Sequence, residues 1–258
     1  MDAAEACRTG DLAWLEAQAR KTRLDLNQKA EDSSYSPIDH AIIAGNLEVL
    51  VWVRSVYNAL ENTRGGVGGA APDLVDFSSA NSYSVKIAAA FGHLDIIKWL
   101  IFDSGSAVDA SATGSYALQI AVNNSHLDVV KWLATDYNAI IAEMGPSRPH
   151  NLKHVNPAAE HYLAFNFAAN TDQLETLKFL VEDFSTWFLH HRRLLSGSGL
   201  HLINAAEWIR FSGGWEQRQW SPAATEYIHQ TAAMQEQLGL EVWAEAISMV
   251  AKKPLSRL

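Results

Sequence analysis

The sequence predicts an all-α fold in which five to six helix-turn-helix repeats form a solenoid that ends in a helical carboxyl-terminal cap. Three observations lead to this prediction: one short segment recurs along the chain, its apolar residues are spaced as on helices, and the composition is that of a globular protein. Of the 258 residues, 48% are hydrophobic and 19% are charged. A chain of this size and composition can bury a full core.

The recurring segment is clearest at Gly92 to Leu100, which reads GHLDIIKWL. Leu94, Ile97 and Leu100 follow one another at steps of three residues and therefore share one face of a helix. Gly92 stands before this helix, where a turn needs a left-handed backbone that glycine adopts at little cost. One helical hairpin cannot bury such a face alone, so the copies are expected to stack on one another.

Five copies are aligned by a small residue that stands six positions before a leucine. The pairs are Ala6 and Leu12, Ala41 and Leu47, Ala88 and Leu94, Ala121 and Leu127, and Ala168 and Leu174. The intervals between successive leucines are 35, 47, 33 and 47 residues, whereas repeats of this kind have a period of about 33 residues. The two intervals of 47 residues exceed this period and predict insertions at 62–82 and 138–160. We expect a repeat stack over 1–184, with a degenerate repeat and a helical cap over 185–258 packed on it.

The motifs resemble those of the ankyrin repeat family. SPIDHA at residues 36–41, GNLEV at 45–49 and GHLDIIKWL at 92–100 are similar to its consensus, which opens T-P-L-H-x-A-A and continues G-H-L-E-V-V-K-L-L. The resemblance covers residues 1–184 and implies a curved stack whose first helices line a concave face that usually holds another protein. The Thr-Pro-Leu-His tetrapeptide is not kept, so the hydrogen bonds between repeats are expected to differ from those of the family.

Charge and cysteine content exclude several classes of protein. A formal charge of −9 and an isoelectric point near 5.5 argue against nucleic-acid and membrane partners, and no apolar run approaches the roughly 18 residues of a membrane span. The single cysteine, Cys7, excludes intrachain disulfides and a zinc site built from cysteines. The amino terminus lacks the features of a secretory signal. We therefore expect a cytoplasmic protein, with the nucleus as the alternative location.

Motifs for catalysis are weak, and neither a cofactor nor a metal site is predicted. There is no G-x-S-x-G motif, and the glycine cluster Gly65 to Gly69 lacks the strand, helix and lysine of a phosphate-binding loop. His150 and His154 are four residues apart, but the prolines around them argue against the helix that would align them on zinc. If the chain is an enzyme, Asp39 and His40 are the first candidates for acid–base work. The alternative for Asp39 is that it binds backbone donors.

The resemblance also nominates a binding surface. Six of its residues lie near either end of the first helices: Tyr83, Phe91, Tyr116, Asn123, Asn124 and Asn170. To these we add His191 and Arg192 from a basic cluster in the tail, which could take a carboxylate or phosphate. Aromatic and amide side chains together are typical of protein recognition. The leading prediction is therefore a protein-interaction module with a protein partner. The alternative is an enzyme of the cyclase, isomerase or lyase type, whose small-molecule pocket is formed by the insertions and the tryptophan- and histidine-rich carboxyl-terminal part.

Overall fold

The computed structural model describes residues 1–27, 29, 34–60, 75–212 and 219–251. Within these ranges all regular secondary structure is helical, so the predicted all-α class is confirmed. The chain divides into two compact units, Met1–Asp109 and Ala110–Leu258. The glycine cluster of the first insertion lies outside the described residues. The predicted boundary after residue 184 falls inside the second unit and stays a prediction.

The first unit is built from pairs of helices joined by short turns. Its helices are α1 Ala3–Thr9, α2 Leu12–Lys21, α3 Pro37–Ala44, α4 Leu47–Trp52, α5 Ser79–Ala90 and α6 Leu94–Phe102. A π-helical segment, Val53–Tyr57, continues α4 without a break. The first helices of neighbouring pairs pack together, α1 on α3 and α3 on α5, and each also contacts the second helix of its own pair. This is the packing that the repeat pattern predicts.

The second unit continues the pairs and adds further helices. They are α7 Ala112–Asn123, α8 Leu127–Ala134, α9 Asp136–Glu143, α10 Ala159–Asn170, α11 Leu174–Lys178, α12 Phe184–His191, α13 Ala205–Phe211, α14 Pro222–Leu238 and α15 Leu240–Ala251. The π-helical segment Phe179–Asp183 joins α11 to α12. Helix α7 packs on α10 and α10 on α13, whereas α14 packs on α13 and α15 on α12. The last two helices therefore cover the preceding ones, as expected of a cap.

Local sequence explains where several helices start and stop. Ser36 caps α3 by accepting a hydrogen bond from the Asp39 N–H, and the Asp39 carboxylate accepts one from the Ser36 N–H in return, which satisfies two backbone donors at once. Gly45 ends α3 in the left-handed conformation with φ of 77°, which a glycine adopts without strain. Ser221 caps α14 and Pro222 occupies its first turn, two positions that serine and proline favour at the start of a helix.

The long intervals between repeats are closed by an asparagine clamp. Asn58 accepts a hydrogen bond from the Val75 N–H and donates one to the Val75 carbonyl, at 3.2 and 3.3 Å. Asn138 makes the same two bonds to Val155, at 2.9 and 2.8 Å. Both residues of the second clamp stand 80 positions after those of the first. The two insertions therefore share one design, in which a second helix is extended and the returning chain is fastened to it.

The second insertion also differs from the loop that its prolines suggest. Residues 138–143 belong to α9. Asn138 and Ile141 are buried one turn apart on the same side of that helix, which packs it into the unit. A 3₁₀ turn at Gly145–Ser147, which includes Pro146, follows the end of α9. Only the remainder of the insertion, up to α10, is irregular.

A clamp of the same kind occurs beyond residue 184. Ser185 accepts a hydrogen bond from the Ile203 N–H at 3.3 Å. Ser185 stands eleven residues after Leu174, and Asn58 stands eleven residues after Leu47. Ile203 directly precedes the cap residue of α13. We interpret α13 as the first helix of the degenerate repeat expected in the tail.

In three of the aligned repeats, the side chain at one position ties the turn to the preceding pair of helices. The position is the residue directly before the aligned leucine, and its side-chain nitrogen donates to a backbone carbonyl. The bonds join Asn46 to Cys7 and Arg8 at 2.8 and 2.9 Å, His93 to Ile43 at 2.9 Å and Gln173 to Val122 at 2.7 Å. These bonds fix the spacing of neighbouring first helices within each unit.

Candidate functional site

Two of the nominated surface residues lie in the first unit, Tyr83 within α5 and Phe91 directly after it. Phe91 follows the helix and is 45% exposed. Tyr83, two turns earlier, is half-buried, and the Nζ atom of Lys29 lies 5.5 Å from the centre of its ring. Burial raises the pKa of the Tyr83 hydroxyl, and the nearby Tyr35 and Asp39 add to the shift. Phe91 is therefore open to a partner, whereas Tyr83 is partly engaged within the unit.

A cleft of about 430 Å³ lies beside Tyr83 and includes Asp39 in its wall. Asp39 is only 7% exposed, and its Oδ2 atom accepts the Ser36 N–H at 2.9 Å. The neighbouring His40 is not among the residues that line the cleft, because its ring packs edge-on against Tyr35 with 6.0 Å between ring centres. The structure thus gives Asp39 a backbone-capping contact and does not bring Asp39 and His40 together at one site.

In the second unit, α7 and α10 carry four of the nominated residues. Tyr116 is 39% exposed, and Asn123 and Asn124 are exposed at the end of the same helix, where the Asn123 amide donates to Asn124 at 3.3 Å. Asn170 ends the adjacent α10, and its Nδ2 atom lies 3.5 Å from Oε1 of Gln219. The Asn170 Oδ1 atom is buried and has no hydrogen-bond partner among the residues that the structure describes. An aromatic ring and several amides therefore lie on two neighbouring first helices.

Comparison with known proteins identifies these helices. Residues 85–187 match a family model described as ankyrin repeats (3 copies). This part of the chain is similar to ankyrin repeats. Ankyrin repeats are in general protein-interaction modules. No curated protein matches the chain. In the described ranges, no helix has the length and hydrophobicity needed to cross a membrane.

The nominated surface residues fall largely inside the matched ankyrin repeats. Phe91, Tyr116, Asn123, Asn124 and Asn170 lie between residues 85 and 187. Tyr83 lies two residues before the matched segment. The match therefore supports reading the exposed sides of α7 and α10 as surfaces of first helices of ankyrin repeats.

The basic pair of the tail lies just past the matched ankyrin repeats. His191 stacks on Trp187 with 4.7 Å between ring centres, and its Nδ1–H donates to the Trp187 carbonyl at 2.8 Å. Arg192 and Glu241 of α15 form an exposed ion pair at 3.7 Å. Exposed pairs of this kind contribute little to stability. Both basic residues are thus in contact with neighbouring parts of the tail.

Among the described residues, no three histidine, cysteine, aspartate or glutamate side chains are placed to hold a metal ion. Of the two histidines in the second insertion, His154 accepts a hydrogen bond at Nε2 from Nη1 of Arg148, 3.2 Å away. Burial lowers the pKa of His154, and the charge of Arg148 lowers it further. The imidazole is therefore neutral near pH 7 and held by an arginine.

Two features of the structure were not named from the sequence. The tying residues Asn46, His93 and Gln173 could have been found, because each stands directly before an aligned leucine and can donate a hydrogen bond. A cavity joins Arg148 of the second insertion to the loop around Ser196 in the tail, the two regions that the small-molecule alternative combines, but no sequence pattern singled out its lining residues. The two segments are far apart in sequence, and only the packed unit brings them together.

Proposed function

We propose that the chain is a protein-interaction module and that its partner binds the second unit, on the exposed sides of α7 and α10 and the loop between α9 and α10. The observation that carries this proposal is Tyr116. Its ring is exposed, whereas the next two residues, Ala117 and Leu118, are buried in the same helix. An exposed tyrosine on a rigid helix with amides nearby is typical of residues that dominate binding energy at protein interfaces.

The rigidity of this surface supports the proposal further. Helix α7 packs directly on α10, and Gln173 ties the turn after α10 to the Val122 carbonyl of α7. A surface that is already ordered loses little side-chain and backbone freedom on binding, so more of the contact energy contributes to affinity.

Truncation of Tyr116 tests the proposal. Partners would be captured from native extract by cross-linking to the full chain, identified, and titrated against wild type and Tyr116→Ala. Loss of a central tyrosine is expected to weaken binding at least about tenfold. Phe102→Ala is the matched control, because Phe102 is 38% exposed and Tyr116 is 39% exposed, but Phe102 ends a second helix.

The control decides the outcome. A partner that binds Tyr116→Ala as tightly as wild type, or that is lost equally with Phe102→Ala, would contradict the proposed surface. The circular dichroism spectra and melting temperatures of both variants should match wild type, because each change removes a partly exposed side chain.

The small-molecule alternative rests on the cleft beside Asp39. Its volume of about 430 Å³ falls within the range of about 300–1,000 Å³ that ligand pockets occupy. A thermal-shift screen of metabolites with wild type and Tyr83→Phe would test it. A compound that stabilises wild type but not the variant, together with failure to capture any protein partner, would replace the interaction proposal by a binding or catalytic one.

A further inference from the structure

A second cavity, of about 580 Å³, lies within the second unit. One wall comes from the loop between α9 and α10, and another comes from the loop that follows α12. Its polar lining includes Arg148, Lys153, His154, Ser111, Ser196 and Ser198. No aspartate or glutamate is among the described residues that line it. In a chain of formal charge −9, such a cavity is a local exception.

Arg148 is the central group of this cavity. The residue is half-buried, and in the described part of the chain no carboxylate pairs with it. Partly buried arginines are normally paired, because removing the charge from water is costly. Its hydrogen bond to His154 leaves the other guanidinium N–H groups for a ligand.

His154 positions Arg148 without neutralising it. Because Nε2 accepts the arginine hydrogen bond, the proton of the neutral ring resides on Nδ1. This Nδ1 is buried, and no described residue forms a hydrogen bond with it. The nearby Glu160 packs against Gly114 at the edge of the cavity and does not line it. The surroundings of Arg148 are therefore rich in donors and poor in negative charge.

We propose that this cavity binds the phosphate group of an organic phosphate. A guanidinium fork, an ammonium group and serine hydroxyls are the donors that phosphate oxygens accept. The volume is within the range of small-molecule sites and leaves room for more than the phosphate. The organic part would contact the apolar lining, which includes Ile141, Pro146 and Leu194.

Calorimetric titration of the full chain at constant ionic strength tests this site, with inorganic phosphate as the first probe. Two further probes distinguish the sources of the group: glucose 6-phosphate for a free small molecule and a phosphoserine peptide for a modified protein. We expect saturable binding that Arg148→Gln weakens at least about tenfold. Arg20→Gln is the matched control, because it removes the same charge from an exposed arginine that does not line the cavity.

Two more variants separate binding from folding. Arg148→Lys keeps the charge but loses the planar fork, so it should bind less tightly than wild type and more tightly than Arg148→Gln. His154→Ala should weaken phosphate binding while the melting temperature without phosphate shows whether the fold is kept. Absence of saturable binding by all three probes, or equal affinity in wild type and Arg148→Gln, would overturn the proposal. Acetate binding as tightly as phosphate would also overturn it.

Discussion

Replacement of Gly45 by alanine should destabilise the first unit through two separable effects. Gly45 has φ of 77°, and a left-handed alanine costs about 1–2 kcal/mol. The added β-carbon would also lie 2.8 Å from Cε1 and 3.1 Å from Nδ1 of His93, which is closer than carbon atoms pack at their optimal separation of about 3.5–4.0 Å. The ring must therefore move away from the turn.

Movement of the ring has a predictable cost. The same imidazole donates from Nε2 to the Ile43 carbonyl at 2.9 Å, and losing a hydrogen bond of this kind costs about 0.5–1.5 kcal/mol. Gly45→Ala should therefore cost about 2–3 kcal/mol, the sum of the backbone and hydrogen-bond effects. His93→Ala alone should cost about 1 kcal/mol. In the double variant the clash is absent and the bond is lost only once, so the total should stay near about 2–3 kcal/mol.

Urea unfolding followed by far-ultraviolet circular dichroism at 25 °C would measure all four members of this cycle. Gly197→Ala provides the backbone effect alone, because Gly197 has φ of 79° and no atom of the described residues lies within 4 Å of its added β-carbon. The expected coupling between Gly45→Ala and His93→Ala is about 1 kcal/mol. If the two single effects add to within about 0.5 kcal/mol, the contact between turn and ring does not limit stability and the reasoning is refuted.

Three further predictions use buried groups. Trp208→Phe should cost about 1–3 kcal/mol more than Trp52→Phe in chemical denaturation, because the Trp208 indole donates to a buried amide oxygen, whereas the buried Trp52 indole has no hydrogen-bond partner in the described ranges; equal costs would contradict this. Burial raises the pKa of Cys7 from the ordinary value of 9.0 to about 12, so the folded protein keeps a proton that the unfolded chain loses, and stability should fall above pH 9 by up to about 1.4 kcal/mol per pH unit. That part of the slope should vanish in Cys7→Ala. Asn138→Ala should lower both the melting temperature and the phosphate affinity, because its clamp holds the loop that lines the cavity. Asn58→Ala should lower only the melting temperature. An unchanged phosphate affinity in Asn138→Ala would show that the clamp does not shape the cavity.

Ala88 and Ile97 illustrate why the paired helices could be predicted from the sequence. Both belong to a pattern that recurs five times, and both are fully buried. A pattern that recurs at each repeat reports packing between repeats, which is the same physical requirement at every copy. The capping of α3 was equally local, since a serine followed three residues later by an acid is a recognisable helix start. Features that repeat or that involve neighbours in sequence could be predicted.

The candidate site depends on contacts that do not repeat. Asn170 contacts Gln219, 49 residues away, and Arg148 shares a cavity with Ser196. Neither pair has a fixed spacing that a sequence pattern can show. Tyr83 and Tyr116 stand at the same position of their repeats, yet Tyr116 is more exposed. Exposure at one repeat position thus depends on the local neighbours, which only the folded units provide.

The loops between the clamps are where the two copies of the 80-residue pattern differ most. Asn58 and Asn138 close their loops by the same pair of bonds to Val75 and Val155, so the second helix and the returning chain are fixed in both. The residues between the clamps share almost nothing: a glycine-rich stretch in one, and Arg148 with its proline and histidine neighbours in the other. Because the clamp is the same in both copies while the enclosed sequence differs, the loop sequence can change without loss of the bonds that hold the repeat together. Specific recognition by this chain is therefore expected to reside in the loop contents and the exposed first helices rather than in the buried repeat pattern.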